Sequence, residues 1–355
     1  MEHLPVLQLT TQSDKLFLGK SGHGISRYDI VSHPIFTKLN NKMQGFFWRP
    51  NEIDMSQEKR SFDKMTESEK FLFTSNLKRQ ILLDSVQGRA PSLVFLPHCT
   101  DPSLENCILT WGFFESIHSE SYTHIIRAIY PDPSVIFEDL PNIKEISDCA
   151  TSVTNAYDDF ITNPNKANLY LALIAANALE AVRFYVSFAC TFSFLERGMV
   201  EASAKIIKLI ARDEAEHLAL TQHILKILPK EDPEFEQIIK DNEDKARKIF
   251  MEAGEQEKQW ARYLFKNGPV IGLNENMLCE YVDYLLAKRM KAVNLTMETG
   301  YKGNHPLPWV EKHFTNSNSQ VAPQEVEISS YLSSSIINDI TDANLEDSWK
   351  QNLDM

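Results

Sequence analysis

The sequence lacks the features that would mark an exported, metal-thiolate or nucleic-acid-binding protein. Its five cysteines, Cys99, Cys107, Cys149, Cys190 and Cys279, form no C-x-x-C pair and no short spacing. That pattern excludes a disulfide framework and a thiolate zinc site, and it fits a reducing cytoplasm. Basic side chains are outnumbered, 36 against 49 acidic, for a net charge of −13. A broad nucleic-acid surface, which needs Lys and Arg to displace phosphate counterions, is therefore excluded. The opening Met-Glu-His-Leu-Pro places an acid and a proline where a secretory signal needs positive charge and then an apolar run, so no export is expected. The longest apolar stretch, Leu169 to Leu195, is broken by Asn177, Glu180 and Arg183. Ionisable groups at mid-membrane cost about 2.5–3.5 kcal/mol each, so the stretch reads as a helix buried in protein, with no membrane partner. Gly19-Lys20-Ser21 and Gly22-x-Gly24 lack the preceding strand and remaining glycines of a phosphate-binding loop.

What is present is apolar periodicity. Hydrophobic residues make up 43% of the 355 positions and charged residues 24%, enough for a large core. Apolar positions recur at three and four residues, while strand-type alternation is nearly absent. Thr66 and Glu69 form a capping-box signal for a helix that Gly88 and Pro91 end. Asp101-Pro102 opens a second helix, running to Tyr130-Pro131. A third is expected from Ala167 to Glu196 with a stop at Gly198, a fourth from Val200 to Leu228 before Pro229, and two more near 233–266 and 275–296. Long helices that are apolar around much of their circumference must pack on one another, which predicts an all-α antiparallel bundle over residues 1–316. Residues 317–355 are rich in Ser, Asn, Asp and Glu and read as a flexible acidic C-terminal tail. From Val321 onward seven acids face the single Lys350, a charge of −6 suited to finding a partner.

Glu-x-x-His occurs twice, at Glu115/His118 and Glu214/His217, each inside a predicted helix. The i, i+3 spacing places carboxylate and imidazole on one face, close enough to grip one ion. Asp84 sits among Ile81, Leu82, Leu83 and Val86, and Glu180 among Ala176, Leu179, Val182 and Phe184, where acids are rarely found unless paired or metal-bound. For Glu180 alone, an ion pair with Arg183 competes. Taken together the four helices offer one acid from each of two and Glu-x-x-His from each of the others, the plan of ferritin-like di-metal bundles. Oxygen-rich ligands with one imidazole per ion suit iron or manganese rather than structural zinc, and iron is preferred where oxygen chemistry is involved. Tyr122, four residues after His118, follows the ligands on the same face, where a phenol could be oxidised. His98, His223 and His313 read as hydrogen-bonded core or surface histidines.

These residues resemble those of the small, radical-generating subunit of class I ribonucleotide reductase, closest to its class Ia branch. The strings that carry the resemblance are Phe47-Trp48-Arg49-Pro50, Leu82-Leu83-Asp84-Ser85-x-Gln87-Gly88, Glu115-Ser116-Ile117-His118 through His124, Asn177-Ala178-Leu179-Glu180-Ala181, Arg183 through Phe188, Ile210-Ala211-Arg212-Asp213-Glu214 with His217, and Ala322 through Glu327. The resemblance implies a homodimeric oxidoreductase, a ribonucleoside-diphosphate reductase small subunit with two iron ions. Asp84, Glu115 and His118 would hold one ion, Glu180, Glu214 and His217 the other, with Glu115 and a second carboxylate bridging. It further implies that Tyr122 carries the radical and that Trp48, Asp213 behind His118, and Tyr331 in the tail form the path to a large catalytic subunit. Phe184, Phe188 and Ile207 would wall the radical from water. Two departures stand out. Asn163 to Lys166 leaves no room for the hairpin that some relatives insert, and the ending from Glu346 to Met355 differs from the short acidic-aromatic terminus of related bacterial chains.

Two other readings share the scaffold, an oxygen-activating oxidase or hydroxylase and an iron-storage bundle. Neither has a use for Trp48, Tyr122 and Tyr331 together. Truncation before Val321 is expected to leave radical formation intact and to abolish turnover with the large subunit. Turnover that survives truncation contradicts the role given to the tail.

Overall fold

A computed structural model describes residues 7–10, 15–19, 23–297, 301 and 303–315; the tail 317–355, and Tyr331 with it, lies outside the described residues. Thirteen α-helices follow one another: α1 Pro34–Gly45, α2 Glu58–Asp63, α3 Glu67–Gln87, α4 Pro102–Ile129, α5 Ser134–Glu138, α6 Lys144–Thr162, α7 Lys166–Ala178, α8 Phe184–Leu195, α9 Glu201–Glu231, α10 Glu234–Asp241, α11 Glu243–Leu264, α12 Glu275–Ala292 and α13 Glu311–Thr315. Among the described residues extended pairing is confined to the isolated bridges Phe17 to Cys99 and Val270 to Leu273. The all-α expectation is met.

Four of the helices, α3, α4, α7 and α12, start where a side chain satisfies an amide that the first turn leaves without a partner. At α3 the Glu69 amide donates to Thr66 Oγ1 at 3.4 Å while the Thr66 amide donates to Glu69 Oε2 at 2.8 Å, the reciprocal capping box. Asp101 Oδ1 accepts from the Leu104 amide at 2.9 Å ahead of α4, and Asn165 and Asn274 cap α7 and α12 in the same way. Gly198, at φ +64°, takes the left-handed conformation that ends α8.

Three boundaries differ from the sequence expectation. The helix expected over 167–196 contains a π turn, Leu179–Arg183, between α7 and α8. Helix α9 runs three residues beyond Leu228 with Pro229 inside it, because in a last turn proline forfeits one hydrogen bond and the Asp232 amide still reaches the Leu228 carbonyl at 3.0 Å. The stretch 233–266 breaks at Asn242, whose side-chain amide donates to the Ile238 carbonyl at 2.9 Å in competition with the backbone. Helices α1 and α6 were not among those predicted, although α6 carries the buried series Ile146, Cys149, Val153, Tyr157 and Phe160 at helical spacing.

The centre of the fold is a ring of four rods. Helix α3 packs on α4 and α8, α4 packs on α9, and α9 packs on α7 and α8. Only three residues, 163–165, link α6 to α7, too few for a hairpin. The apolar segment 166–195 is long enough to cross a membrane, but 94% of its apolar window is buried inside the protein. Leu72, Leu77, Trp111, Leu173, Phe188, Phe192, Ile206 and Ile210 fill the ring with no exposed surface. Each large apolar side chain so buried stabilises the fold by about 1.5–3 kcal/mol.

Outside the ring α11 lies against α12 at Gly254. A Cβ there would sit 3.1 Å from Leu286 Cγ and closer still to Leu286 Cδ1. Replacing Gly by Ala in a helix gains about 1 kcal/mol of propensity, but overpacking costs about 1–3 kcal/mol, so the clash prevails. Gly254→Ala is therefore expected to lower the melting temperature; an unchanged or higher value in thermal unfolding contradicts the close approach.

Candidate metal centre

Each rod brings side chains to the same point. Helix α3 contributes Asp84 and, one turn on, Gln87; α4 contributes Trp111, Glu115, His118 and Tyr122; the π turn contributes Glu180; α9 contributes Asp213, Glu214 and His217. All are buried, none more than 2% exposed. One donor atom each from Glu115, Glu180, Glu214 and His217 lie within 4.8 Å of one another. His118 Nδ1 stands 3.1 Å from Glu214 Oε1 and 3.6 Å from Glu115 Oε2. His217 Nδ1 stands 2.9 Å from Glu214 Oε2 and 3.2 Å from Glu115 Oε1. Asp84 is near enough to Glu115, Glu214 and Tyr122 to feel each of them. Of the six side chains picked out in sequence, Glu115, Glu180, Glu214 and His217 share that cluster, and His118 and Asp84 adjoin it.

The π turn explains why Glu180 joins them. In a regular helix Glu180 and Arg183 would share a face, as an ion pair requires. The wider turn separates them: Glu180 Oε1 accepts from Gln87 Nε2 at 2.7 Å on α3, while Arg183 turns to Glu257 and Gln256 on α11. The competing ion pair is not formed. π turns of this kind recur at functional sites.

The cluster is unsatisfied as protein alone. Both oxygens of Asp84, Glu115 Oε2, Glu180 Oε2, Glu214 Oε1, His118 Nδ1 and His217 Nε2 have no hydrogen-bond partner. An orphaned buried polar atom costs about 1–3 kcal/mol, more when charged, so the core spends stability to hold this set. Two buried carboxylates about 4 Å apart repel by about 4 kcal/mol at an effective dielectric of ~20. Burial, and then the charges of Glu115 and Glu214, push the Asp84 carboxyl well above its usual range. Burial, and then Glu214, do the same to Glu180. Burial would raise Glu214 too, but the adjacent Glu180 carboxyl and the two imidazoles hold it below the ordinary range. Burial opposes charge on the imidazoles, yet Glu214, Asp213 and Glu115 raise His118 well above its usual value, and Glu115 and Glu214 bring His217 to about 9. Protons here do the work of missing positive charge. Oxygen-rich donors, two imidazoles and unpartnered carboxylate oxygens fit a di-metal carboxylate centre.

A second layer orients the ligands. Trp111 Nε1 donates to Glu115 Oε1 at 2.8 Å, and Tyr157 Oη on α6 donates to Gln87 Oε1 at 2.9 Å, fixing the amide that serves Glu180. Trp48 Nε1 donates to Asp213 Oδ2 at 2.7 Å, and His118 Nε2 lies 3.3 Å from the same oxygen. Arg212 Nε and Nη2 donate to Asp213 Oδ1, each at 3.2 Å, with the guanidinium 4.1 Å from the Phe46 ring. Gln87, Trp111, Tyr157 and Arg212 had been given no role from sequence. The i, i+3 relation of Gln87 to Asp84 and the i, i+4 relation of Trp111 to Glu115 were available signals, whereas Tyr157, on a helix that was itself missed, had none.

Tyr122 has no exposed surface, and its hydroxyl has no well-formed hydrogen bond. Burial and the adjacent Asp84 push its phenol well above the usual value. Phe184, Phe188 and Ile207 are fully buried, the two rings stacked at 5.9 Å. His313, read as an ordinary histidine, pairs with Glu196 at 2.7 Å.

The family model of the ribonucleotide reductase small chain matches residues 28–306, which hold all six acidic and imidazole donors. The chain belongs to that family. A ribonucleoside-diphosphate reductase subunit beta of Haemophilus influenzae is 46% identical over 345 residues, covering 90% of this chain and 91% of its own. The subunit beta of a Buchnera aphidicola strain from Acyrthosiphon pisum is 44% identical over 355 residues, covering 93% and 94%. Among solved structures, a ribonucleotide reductase subunit from Clostridium botulinum superposes with a TM-score of 0.80 at 23% identity, over 86% of this chain and 96% of that one. A putative class I ribonucleotide reductase from Bacillus halodurans does so with a TM-score of 0.79 at 25% identity, over 87% and 98%. The ferritin-like bundle expected of a ribonucleotide reductase small chain is the fold observed.

For this small chain the raised carboxyls and imidazoles set the sign of its pH dependence. Groups raised on folding bind extra protons in the native state, so stability of the metal-free protein falls as pH climbs from the ordinary carboxylate range near about 4. The fall extends to the His217 value of about 9. Ferrous or manganous ions should release protons at pH 7 and raise the melting temperature more at pH 8 than at pH 5. Binding without proton release contradicts these assignments.

Proposed function

We propose that this chain is the radical-generating small subunit of a ribonucleoside-diphosphate reductase, with two iron ions held by Asp84, Glu115 and His118 on one side and Glu180, Glu214 and His217 on the other, and Tyr122 as the radical residue. The observation that carries the reading is a dry, unpartnered phenol one helical turn beyond His118, beside the orphaned carboxylate of Asp84. When bound, two ferrous ions would give two of the four electrons that reduce dioxygen to water. Manganese fits the same donors and is the alternative metal.

The side chains do the rest. Tyr122 gives one electron, and its hydroxyl proton has the neighbouring Asp84 carboxylate as acceptor. Trp48 relays the remaining electron from outside, and its oxidation makes the indole N–H more acidic, a proton shared along the 2.7 Å bond to Asp213 Oδ2. Arg212 anchors the other oxygen of Asp213, so the carboxylate keeps Trp48 and His118 in line. Phe184, Phe188 and Ile207 keep water from the phenol. Trp48, Asp213 and Tyr331 form the path to a large catalytic subunit, which binds through the acidic tail and carries the ribonucleotide chemistry. Homodimeric assembly and a cytoplasmic setting, in keeping with five unpaired cysteines, complete the reading. No nucleic acid or membrane is involved.

Ferrous iron followed by air is expected to give a tyrosyl-radical paramagnetic signal with its sharp optical band in wild type, and neither in Tyr122→Phe at unchanged metal content. A full signal in the variant, or none in iron-loaded wild type, contradicts the assignment. Gln87→Leu is expected to leave Glu180 unsupported and lower metal affinity about 10–100-fold; wild-type affinity by metal titration would remove Gln87 from the support of the site.

A further inference from the structure

One buried cluster has no part in the metal centre. Arg79 on α3 and Arg183 in the π turn, neither more than 2% exposed, both donate to the sulfur of Cys149 on α6, Arg183 Nη1 at 2.9 Å and Arg79 Nη2 at 3.3 Å. Glu257 on α11 accepts from both, from Arg183 Nη1 at 3.4 Å and from Arg79 Nη2. The hydrogen-bonded set therefore holds two fixed positive charges against one carboxylate. Buried charges are normally balanced by partners, and this set is one negative charge short.

A second, independent observation points the same way. Trp260 is fully buried with the Arg79 guanidinium 4.8 Å from its ring, and its indole N–H has no acceptor; Arg79 Nε and Nη1 have none either. Among the described residues the unpartnered donors of this cluster outnumber its one unpartnered acceptor, Glu257 Oε2, so an oxygen added at the sulfur would find donors waiting.

We propose that Cys149 is an oxidative modification site, which takes one oxygen atom from a peroxide to give a sulfenic acid held by Arg79 and Arg183. The sulfur attacks one peroxide oxygen, the S–O bond forms and the O–O bond breaks. Sulfur gives two electrons, peroxide receives them, and the thiol proton leaves with the distal oxygen, as water when the oxidant is hydrogen peroxide. The guanidinium groups stabilise charge on sulfur as that proton departs. They cannot themselves be deprotonated. Entry is through the groove of about 630 Å³ between α6, α7 and α11, whose walls include Asp148, Ser152 and Gln256. Gln256 accepts from Arg183 Nη2 at 2.7 Å and forms the half-buried partition between groove and cluster.

The other cysteines act as internal controls. Cys99, Cys107 and Cys190 are buried like Cys149 but receive no hydrogen bond from an arginine among the described residues; Cys190 feels Arg79 and Glu257 without bonding to either, and Cys107 donates to the Phe36 carbonyl at 2.9 Å. Cys279 is partly exposed. The test is limiting hydrogen peroxide on the full-length protein with dimedone as the sulfenic-acid trap, each cysteine's adduct being counted by peptide mass spectrometry. Cys149 is expected to be labelled at least about tenfold faster than Cys107, Cys190 and Cys279. Gln256→Ala, at a half-buried position, is expected to speed Cys149 labelling and leave Cys107 and Cys190 unchanged. Labelling ordered by exposure, with Cys279 first, overturns the proposal, as does a Cys149 rate no higher than those of Cys107 and Cys190, or one indifferent to Gln256→Ala.

Discussion

Everything in this molecule is arranged around the mutual repulsion of four carboxylates in a core that excludes water. Asp84, Glu115, Glu180 and Glu214 meet in the buried core with only the imidazoles of His118 and His217 to offset their charge. A pair kept ionised about 4 Å apart would repel by about 4 kcal/mol at an effective dielectric of ~20, a large share of the about 5–15 kcal/mol net stability of a typical domain. A fold can keep such a set only if the surrounding rods are rigid and the positive charge comes from elsewhere, as protons or as cations.

That constraint accounts for the thickness of the bundle and for its second layer. The ring of α3, α4, α7 with α8, and α9 gives the site its apolar walls. Capping side chains such as Asp101 and Asn165 fix where each rod begins, and hence which residues face inward. Trp111, Gln87 and Asp213 each hold a ligand side chain by a single hydrogen bond, and Tyr157 holds Gln87, so loss of one would be felt at the site more than in the stability of the fold. Trp48 reaches the centre through Asp213, by the 2.7 Å bond from its indole N–H.

Much of this was legible in the sequence because the signals are local. A capping box spans four residues, and Glu-x-x-His spans one turn, so Thr66, Glu115/His118 and Glu214/His217 announce their geometry without knowledge of the rest of the chain. Asp84 and Glu180 were legible by incongruity, as acids in apolar runs. What escaped depended on distant partners. The π turn at Glu180 leaves no trace in hydrophobic periodicity, and Arg183 could be assigned to Glu257 only once α11 was in place. Pro229 looked like a stop because position within the last turn, not proline itself, decides what the missing amide costs. Tyr157 joins the site only through Gln87, 70 residues away in the chain, so nothing local marks it.

The central claim is that six side chains from four rods enclose a pair of ions. Anomalous diffraction from crystals soaked in ferrous iron without oxygen tests it most directly. Two iron peaks about 4 Å apart, one between Asp84, Glu115 and His118 and the other between Glu180, Glu214 and His217, are predicted. A single peak, peaks outside these residues, or a centre closed by Glu and His ion pairs after soaking would contradict it.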